Sequence, residues 1–177
     1  MTPSNRVKVN PWKRRYVALM MDVIGRSLEA ASQVDEAIQR EVANLPALLM
    51  FEMRVLPNGP ALAMVRTEEG TLRYLGSSAP RKVDVAMKFK HLQHAFLVFS
   101  FQESTSRAFA NDRLLLDGEI AYAMKLVRCL NRMEALILPK FIAARAVKRY
   151  PTDLSLLSKV LGGGRIYSQF AMNLIRG

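Results

Sequence analysis

Cysteine, histidine and tryptophan are scarce in this chain of 177 residues, which holds one Cys, two His and one Trp. A single cysteine, Cys129, excludes a disulfide bond within the chain and is typical of a protein from a reducing compartment. Cys129 lies in an apolar helical run between Arg128 and Leu130. We therefore expect a packed thiol rather than a nucleophile.

The two histidines, His91 and His94, are three residues apart. A metal site needs at least a third ligand, and the spacing of Glu103 and Cys129 does not suggest that either supplies it. The sequence therefore predicts no metal site.

Motifs for catalysis or cofactor binding are also lacking. No G-x-S-x-G sequence accompanies the histidines. Asp117 and Glu119 flank Gly118, where a helix cap and a helix-dipole partner explain them. The run 162–165 reads Gly-Gly-Gly-Arg, but its spacing fits neither a dinucleotide-binding nor a Walker motif. We predict a non-enzymatic protein with no catalytic residue and no cofactor.

No apolar run approaches the roughly 18 residues of a membrane-spanning helix. The N-terminal segment is basic and then apolar, but Asp22 interrupts it and no cleavage site follows closely, so we interpret it as mature sequence. The C-terminal residues carry no peroxisomal address. We expect a cytoplasmic, bacterial protein, with peripheral contact at the inner membrane face left open.

Basic residues outnumber acidic ones by 26 to 15, which gives a net charge of +11. Residues 1–16 hold five basic residues and no acidic one, and residues 120–177 hold ten basic against two acidic. A basic surface attracts polyanions, either anionic lipid headgroups or nucleic acid. Charge alone does not choose between them.

Residues 1–15 are predicted to be a basic arm, because they contain Pro3, Pro11 and five cations. Trp12 beside a basic cluster is typical of a membrane interface, although packing on the domain edge is equally compatible with it. Three further cations recur at helical spacing after residue 120. The predicted membrane-docking residues are Trp12, Lys13, Arg14, Arg15, Lys125, Arg128 and Arg132.

Helical periodicity runs from Tyr16 to about Leu45, where Pro46 ends it. A helix of this length exceeds what a small sheet needs, so a homodimer contact through it stays open. Three alternating segments separated by turns follow: 49–55, 61–66 and 71–75. A fourth strand starts at Val83 and a fifth covers 113–116. Consecutive strands with tight turns predict an antiparallel sheet.

Apolar helical patterns cover 91–101, a short stretch around Arg107 and Phe109, and a long run from Glu119 to about Leu138. Two more, 141–150 and 154–161, follow Pro139. The predicted fold class is α+β, with a long N-terminal helix and a helical C-terminal tail. The predicted division is an arm (1–15), an α+β domain (16–150) and a C-terminal extension (151–177).

The stretch 83–139 resembles a known family. Its phrases DVAMKFK, SRAFANDRLLLDGEI and AMKLVRCL are similar to the sterol-carrier-protein-2-like (SCP2) lipid-binding domain. The matching positions are Ala108, Phe109, Leu114, Leu116, Gly118 and the helical stripe 123–130. The resemblance covers about a third of the chain well, and 50–132 loosely.

This resemblance implies a five-stranded, mostly antiparallel sheet with helices packed on one face and an apolar tunnel between them. Such tunnels take sterols, fatty acids or acyl chains, and one branch of the family holds quinone-like intermediates for enzymes. Flexible methionines are able to line such a cavity, and equally to fill a solid core. The implied lipid-binding residues are Phe51, Met53, Val55, Met64, Met87, Phe89, Phe96, Phe99, Phe109, Met124 and Val127.

The sequence thus favours a non-catalytic carrier or presenting protein for a fatty acid, phospholipid, sterol or quinone-like lipid. Binding would rest on burial of apolar groups, at about 0.8 kcal/mol per methylene. The alternative is a basic module with a solid core that binds nucleic acid or a protein. Nucleic acid is the weaker partner, because no recognised nucleic-acid motif accompanies the cations.

Overall fold

A computed structural model describes residues 10–137 and Met172 of the chain. The described part contains five strands and five helices. In chain order they are α1 (Pro11–Val34), α2 (Glu36–Ala43), β1 (Met50–Val55), β2 (Ala61–Arg66), β3 (Leu72–Gly76), β4 (Val85–Phe89), α3 (Leu92–Phe99), α4 (Thr105–Ala110), β5 (Leu114–Asp117) and α5 (Ile120–Ile137). The predicted α+β class with five strands is confirmed. The helices predicted at 141–150 and 154–161, the extension 151–177, the run 162–165 and the start of the arm lie outside the described residues, apart from Met172.

The N-terminal helix begins earlier than the sequence predicted. The side chain of Asn10 accepts a hydrogen bond from the backbone N–H of Trp12, and Pro11 occupies the first turn. An Asn cap followed by Pro is a strong start signal, because the Asn oxygen satisfies a free N–H and the Pro needs none. Residues 11–15 are therefore helical and do not belong to an extended arm.

The single helix predicted for 16–45 is in fact two helices. Asp35 has extended backbone angles, and its Oδ1 accepts a 3.0 Å hydrogen bond from the N–H of Ile38. An Asp at this position caps a new helix, and this second helix, α2, packs against α5.

The strand order is β3-β2-β1-β4-β5, with β1 and β4 parallel and all other neighbours antiparallel. The mostly antiparallel sheet is confirmed, but β4 does not follow β3 across a hairpin as the succession of turns predicted. It crosses to the far side of β1. There the carbonyl of Met50 accepts a hydrogen bond from the N–H of Asp84, and the N–H of Met50 donates one to the carboxylate of Asp84.

The register of β4 explains why this strand pairs with β1. Phe51, Met53 and Val55 of β1 lie beside Val85, Met87 and Phe89 of β4. All six side chains are almost completely buried, so the pairing forms a continuous apolar layer. A hairpin with β3 would instead have left β1 without its second apolar neighbour.

The helices pack together against this apolar face. Helix α1 contacts β2, β3, α3 and α5, while α3 and α5 contact β4 and α4 contacts β5. Gly118, at φ 108°, makes the turn from β5 into α5, and a β carbon there would stand 2.3 Å from the carbonyl oxygen of Asp84. Only glycine allows α5 to start so close to β4.

Candidate functional site

An apolar cavity of about 110 Å³ lies at the β4–β5 end of the sheet. The sheet forms its floor, α4 forms one wall, and the first half of α5 forms the other. Its lining residues are Met87, Leu114 and Leu116 from the strands, Thr105, Ser106 and Phe109 from α4, and Ile120, Ala123, Met124 and Val127 from α5.

The local sequence explains which residues of each strand and helix line the cavity. Leu114 and Leu116 alternate on β5, so both face the helices, and they lie opposite Phe89 and Met87. Helix α5 presents positions 120, 123, 124 and 127, which is one face of an α-helix. Helix α4 starts where Oγ of Ser104 accepts a 3.2 Å hydrogen bond from the N–H of Arg107. The cavity therefore follows from ordinary strand and helix periodicity.

The chemistry of the lining is almost wholly apolar. Among the described residues that line the cavity, Thr105 and Ser106 contribute the only polar side chains, and none is charged. Such a surface is able to bury alkyl, isoprenoid or aromatic groups, and it offers neither a nucleophile with a base nor a set of metal ligands.

Three exposed apolar side chains stand at the cavity. Phe109 is 50%, Ile120 is 64% and Met124 is 45% exposed, although all three also line the cavity. Covering a large apolar side chain is favourable in free energy, and these three exposed side chains all border the same cavity. They form an apolar rim, named here the mouth (Phe109, Ile120 and Met124).

The implied lipid-binding residues divide into three groups. Met87, Phe109, Met124 and Val127 line the cavity. Phe96 lies instead in an aromatic cluster with α1. The six remaining residues, all at most 3% exposed, belong to the packed core: Phe51, Met53, Val55, Met64, Phe89 and Phe99.

The division has a physical reason. Helix α1 packs directly over β2 and β3, and the ring of Phe99 on α3 meets that of Phe89 at 5.6 Å. The short helix α4 leaves a gap over β4 and β5. The sequence interpretation missed Leu114, Leu116, Ile120 and Ala123 as lining residues. The alternation of β5 and the helical stripe of α5 were the signals for them.

The aromatic cluster lies at the start of α1. Trp12 stacks on Tyr16 with ring centroids 5.7 Å apart and contacts Phe96 at 5.6 Å. The Nζ atom of Lys13 lies 5.0 Å from the centre of the Phe96 ring and donates a 2.7 Å hydrogen bond to Gln93. Trp12 is nevertheless 59% exposed. One face of its indole packs on the domain and the rest remains open.

The three predicted cations of α5 face α2. Arg128 makes a two-pronged ion pair with Glu41 at 2.8 and 2.9 Å. Arg132 pairs with the Asp35 carboxylate at 3.1 Å. Lys125 donates a 2.7 Å hydrogen bond to the carbonyl of Asn44. These contacts attach α5 to α2, and the two arginine charges are already compensated.

The residues considered for chemistry do not form a catalytic group. The rings of His91 and His94 meet edge to face at 5.2 Å, and burial, followed by the nearby His91, lowers the pKa of His94. Burial raises the pKa of the Cys129 thiol to about 12. Among residues 10–137 and Met172, no group of three His, Cys, Asp or Glu side chains is placed to hold a metal ion. No helix in that part of the chain is long and apolar enough to cross a membrane.

Comparison with known proteins finds matches among solved structures. A UbiJ-SCP2 ubiquinone synthesis protein is 13% identical, with a TM-score of 0.45 over 70% of this chain and 100% of its own. The sterol carrier protein domain 2 of Helicoverpa armigera is 20% identical, with a TM-score of 0.43 over 67% of this chain and 87% of its own. Sterol carrier protein 2 like 2 from Aedes aegypti is 15% identical, with a TM-score of 0.33 over 56% and 94%.

Structures of SCP2 domains are thus among those similar to this chain, as the resemblance of 83–139 predicts. No family model and no curated protein matches the chain.

Proposed function

We propose that the chain binds the apolar part of a hydrophobic ligand in the cavity between β4–β5 and α4–α5, as a non-catalytic carrier or presenting protein. The observation that supports it is the apolar lining of the cavity beside a mouth of exposed apolar side chains. Each methylene that moves from water into such a site contributes about 0.8 kcal/mol, without any catalytic group. The ligand class is a fatty acid, phospholipid, sterol or quinone-like lipid.

The size of the cavity limits what it holds in this form. An apolar cavity of about 150 Å³ takes up benzene, so 110 Å³ accommodates a comparable or smaller group. The end of a chain, rather than a whole lipid, fits between the walls. The remainder of the ligand would lie along the mouth.

Methionine methyl groups report on this site directly. Met87 and Met124 line the cavity, whereas Met21 and Met64 are fully buried elsewhere in the core. With methyl-¹³C methionine, we expect added 1-dodecanol to shift the signals of Met87 and Met124 and to leave those of Met21 and Met64 in place. Equal shifts of all four, or none, would contradict binding in this cavity. Native mass spectrometry with organic extraction would then identify any ligand that copurifies.

We also propose that the start of α1 docks on anionic bilayers. Trp12 is exposed there, and the first turn of α1 carries no acidic residue. Within the described part of the chain, the hydrogen bonds of Lys13 and Arg14 go to neutral groups, the side-chain amide of Gln93 and the carbonyl of Asn58, so these bonds do not compensate their charges. Each cation near an anionic surface contributes about 1 kcal/mol. Arg15, which is exposed, adds to the same surface.

A further inference from the structure

The segment that carries α4 is bracketed by two residues with left-handed backbone. Phe101 has φ 58° and Asp112 has φ 56°. Residues other than glycine seldom adopt this conformation. Phe101 lies just beyond the end of α3, and Asp112 just beyond the end of α4. Between them, residues 102–111 supply Thr105, Ser106 and Phe109 to the cavity. This segment is named here the α4 wall (residues 102–111).

A buried carboxylate joins the α4 wall to the sheet. Glu103 is only 7% exposed, and its Oε2 accepts a 3.0 Å charged hydrogen bond from Arg113. Its Oε1 accepts a 2.8 Å hydrogen bond from Asn111, which lies within the wall. Arg113 lies beyond Asp112, next to β5. The Glu103–Arg113 pair therefore spans the bend, whereas the Glu103–Asn111 bond moves with the wall.

The backbone of Arg113 makes a second attachment. Its N–H donates a 2.9 Å hydrogen bond to the carbonyl of Ala108 on α4, and its carbonyl accepts one of 3.1 Å from the N–H of Lys90. Arg113 is thus bonded to Lys90, directly after β4, on one side and to the α4 wall on the other. At the opposite end, the N–H groups of Gln102 and Glu103 donate to the carbonyl of Leu97, next to the bend at Phe101.

We propose that the Glu103–Arg113 pair is a latch that sets the size of ligand the cavity admits. This inference rests on the function proposed above. With the latch closed, the cavity holds a group of about 110 Å³. A chain of twelve carbons then inserts only its end, and more of it enters when the α4 wall turns outward about Phe101 and Asp112. Glu103 is a positioning residue, since it acts on the ligand only through α4.

Ligand-size selectivity tests the latch. Affinities of the full chain are measured for benzene and for 1-dodecanol, and the ratio of the two is compared among variants. Glu103→Gln keeps an acceptor for Asn111 and removes the charge that holds Arg113. We expect dodecanol to bind roughly tenfold more tightly, as loss of a charged hydrogen bond allows, while benzene binding changes by less than about threefold. An unchanged ratio would overturn the latch.

Two matched variants separate this effect from a general loss of stability. Arg113→Lys retains a cation for Glu103, so we expect the ratio to stay near that of the wild type. Glu41→Gln removes a carboxylate that is likewise paired with an arginine, Arg128, and neither Glu41 nor Arg128 lines the cavity. It should leave the ratio unaltered. A change of ratio in Glu41→Gln as large as that in Glu103→Gln would also count against the latch.

The wild-type chain provides an independent measurement. The amide proton of Arg113 bonds to Ala108 only while the α4 wall is closed. We expect this proton to exchange faster with dodecanol bound than with benzene bound, and equal rates would overturn the inference. If neither probe binds the wild type, the proposed function itself fails. If both bind and the ratio and exchange rates do not respond, the function stands and the latch is wrong.

Discussion

The hydroxyl group of Tyr74 on β3 donates a 3.1 Å hydrogen bond to Oδ1 of Asp22 on α1. The ring of Tyr74 lies against Gly25 of α1, where an added β carbon would stand 2.5 Å from the ring carbon Cδ2. Burial, with the adjacent Asp22 charge, raises the pKa of Tyr74 to about 12. A glycine in a helix interior is thus required for α1 to approach the edge strand.

Replacement of Gly25 tests this close packing. Ala would favour the helix by up to about 1 kcal/mol, but it forces the Tyr74 ring out of place, and overpacking costs about 1–3 kcal/mol. We expect Gly25→Ala to lower the free energy of unfolding, as measured by urea denaturation. In a Tyr74→Leu background the same change should cost less. A penalty of equal size in both backgrounds would show that the ring is not the cause.

Local signals in the sequence predicted the elements well and their connections less well. The alternation of β1 and β4 and the turns between strands were readable from neighbouring residues. The break at Asp35 was not, because an Asp inside a helical pattern and an Asp at a helix cap have the same apolar residues around them. The position of β4 beside β1 depends on pairing across 34 residues, as between Met50 and Asp84. No local pattern encodes that pairing.

Local sequence patterns were also insufficient to predict which residues line the candidate site. Phe51, Phe89 and Phe109 are equally apolar in the sequence, yet the first two belong to the solid core and only Phe109 borders the cavity. What distinguishes them is whether a helix lies directly above. That depends on the length and position of α4, which has six residues. Composition predicts an apolar interior, but the tertiary packing decides where it is incomplete.

Filling the cavity should weaken ligand binding without loss of stability. Ala123 lines the cavity and is itself buried, so Ala123→Leu would place three more carbon atoms in the empty space. Such changes commonly raise stability by about 0.5–2 kcal/mol. We expect dodecanol to bind at least about tenfold more weakly. Titration calorimetry and urea denaturation measure the two effects.

Ala18→Leu is the matched control, because Ala18 is exposed on α1 and the same atoms are added outside the cavity. Its dodecanol affinity should equal that of the wild type. Undiminished binding in Ala123→Leu would place the ligand elsewhere.

Cys129 should be inert toward thiol reagents in the folded protein. Its side chain is buried, and burial, with the charge of Glu41 next in effect, raises the pKa of the thiol to about 12. The reactive thiolate is therefore rare at pH 8. We expect a disulfide reagent to label the chain slowly in buffer and rapidly in urea. The exposed position Leu115, changed to Cys in a Cys129→Ser background, serves as the fast-reacting control.

Trp12 is the only tryptophan in the chain and therefore a direct reporter of membrane docking. Its exposed indole should leave water on contact with a bilayer, so we expect a blue shift of emission with vesicles of phosphatidylglycerol and little change with phosphatidylcholine. The shift should fade as salt rises, because the screening length falls to about 3 Å at 1 M.

The charges responsible for this docking are identified by comparing two sets of variants. Lys13→Gln with Arg15→Gln removes cations from the exposed start of α1, and we expect the double change to weaken vesicle binding by about thirtyfold, at roughly 1 kcal/mol for each cation. Arg128→Gln also removes a positive charge, but Arg128 is paired with Glu41. It should weaken binding by no more than about twofold. Equal losses in the two sets would mean that net charge, and not the surface around Trp12, drives the contact.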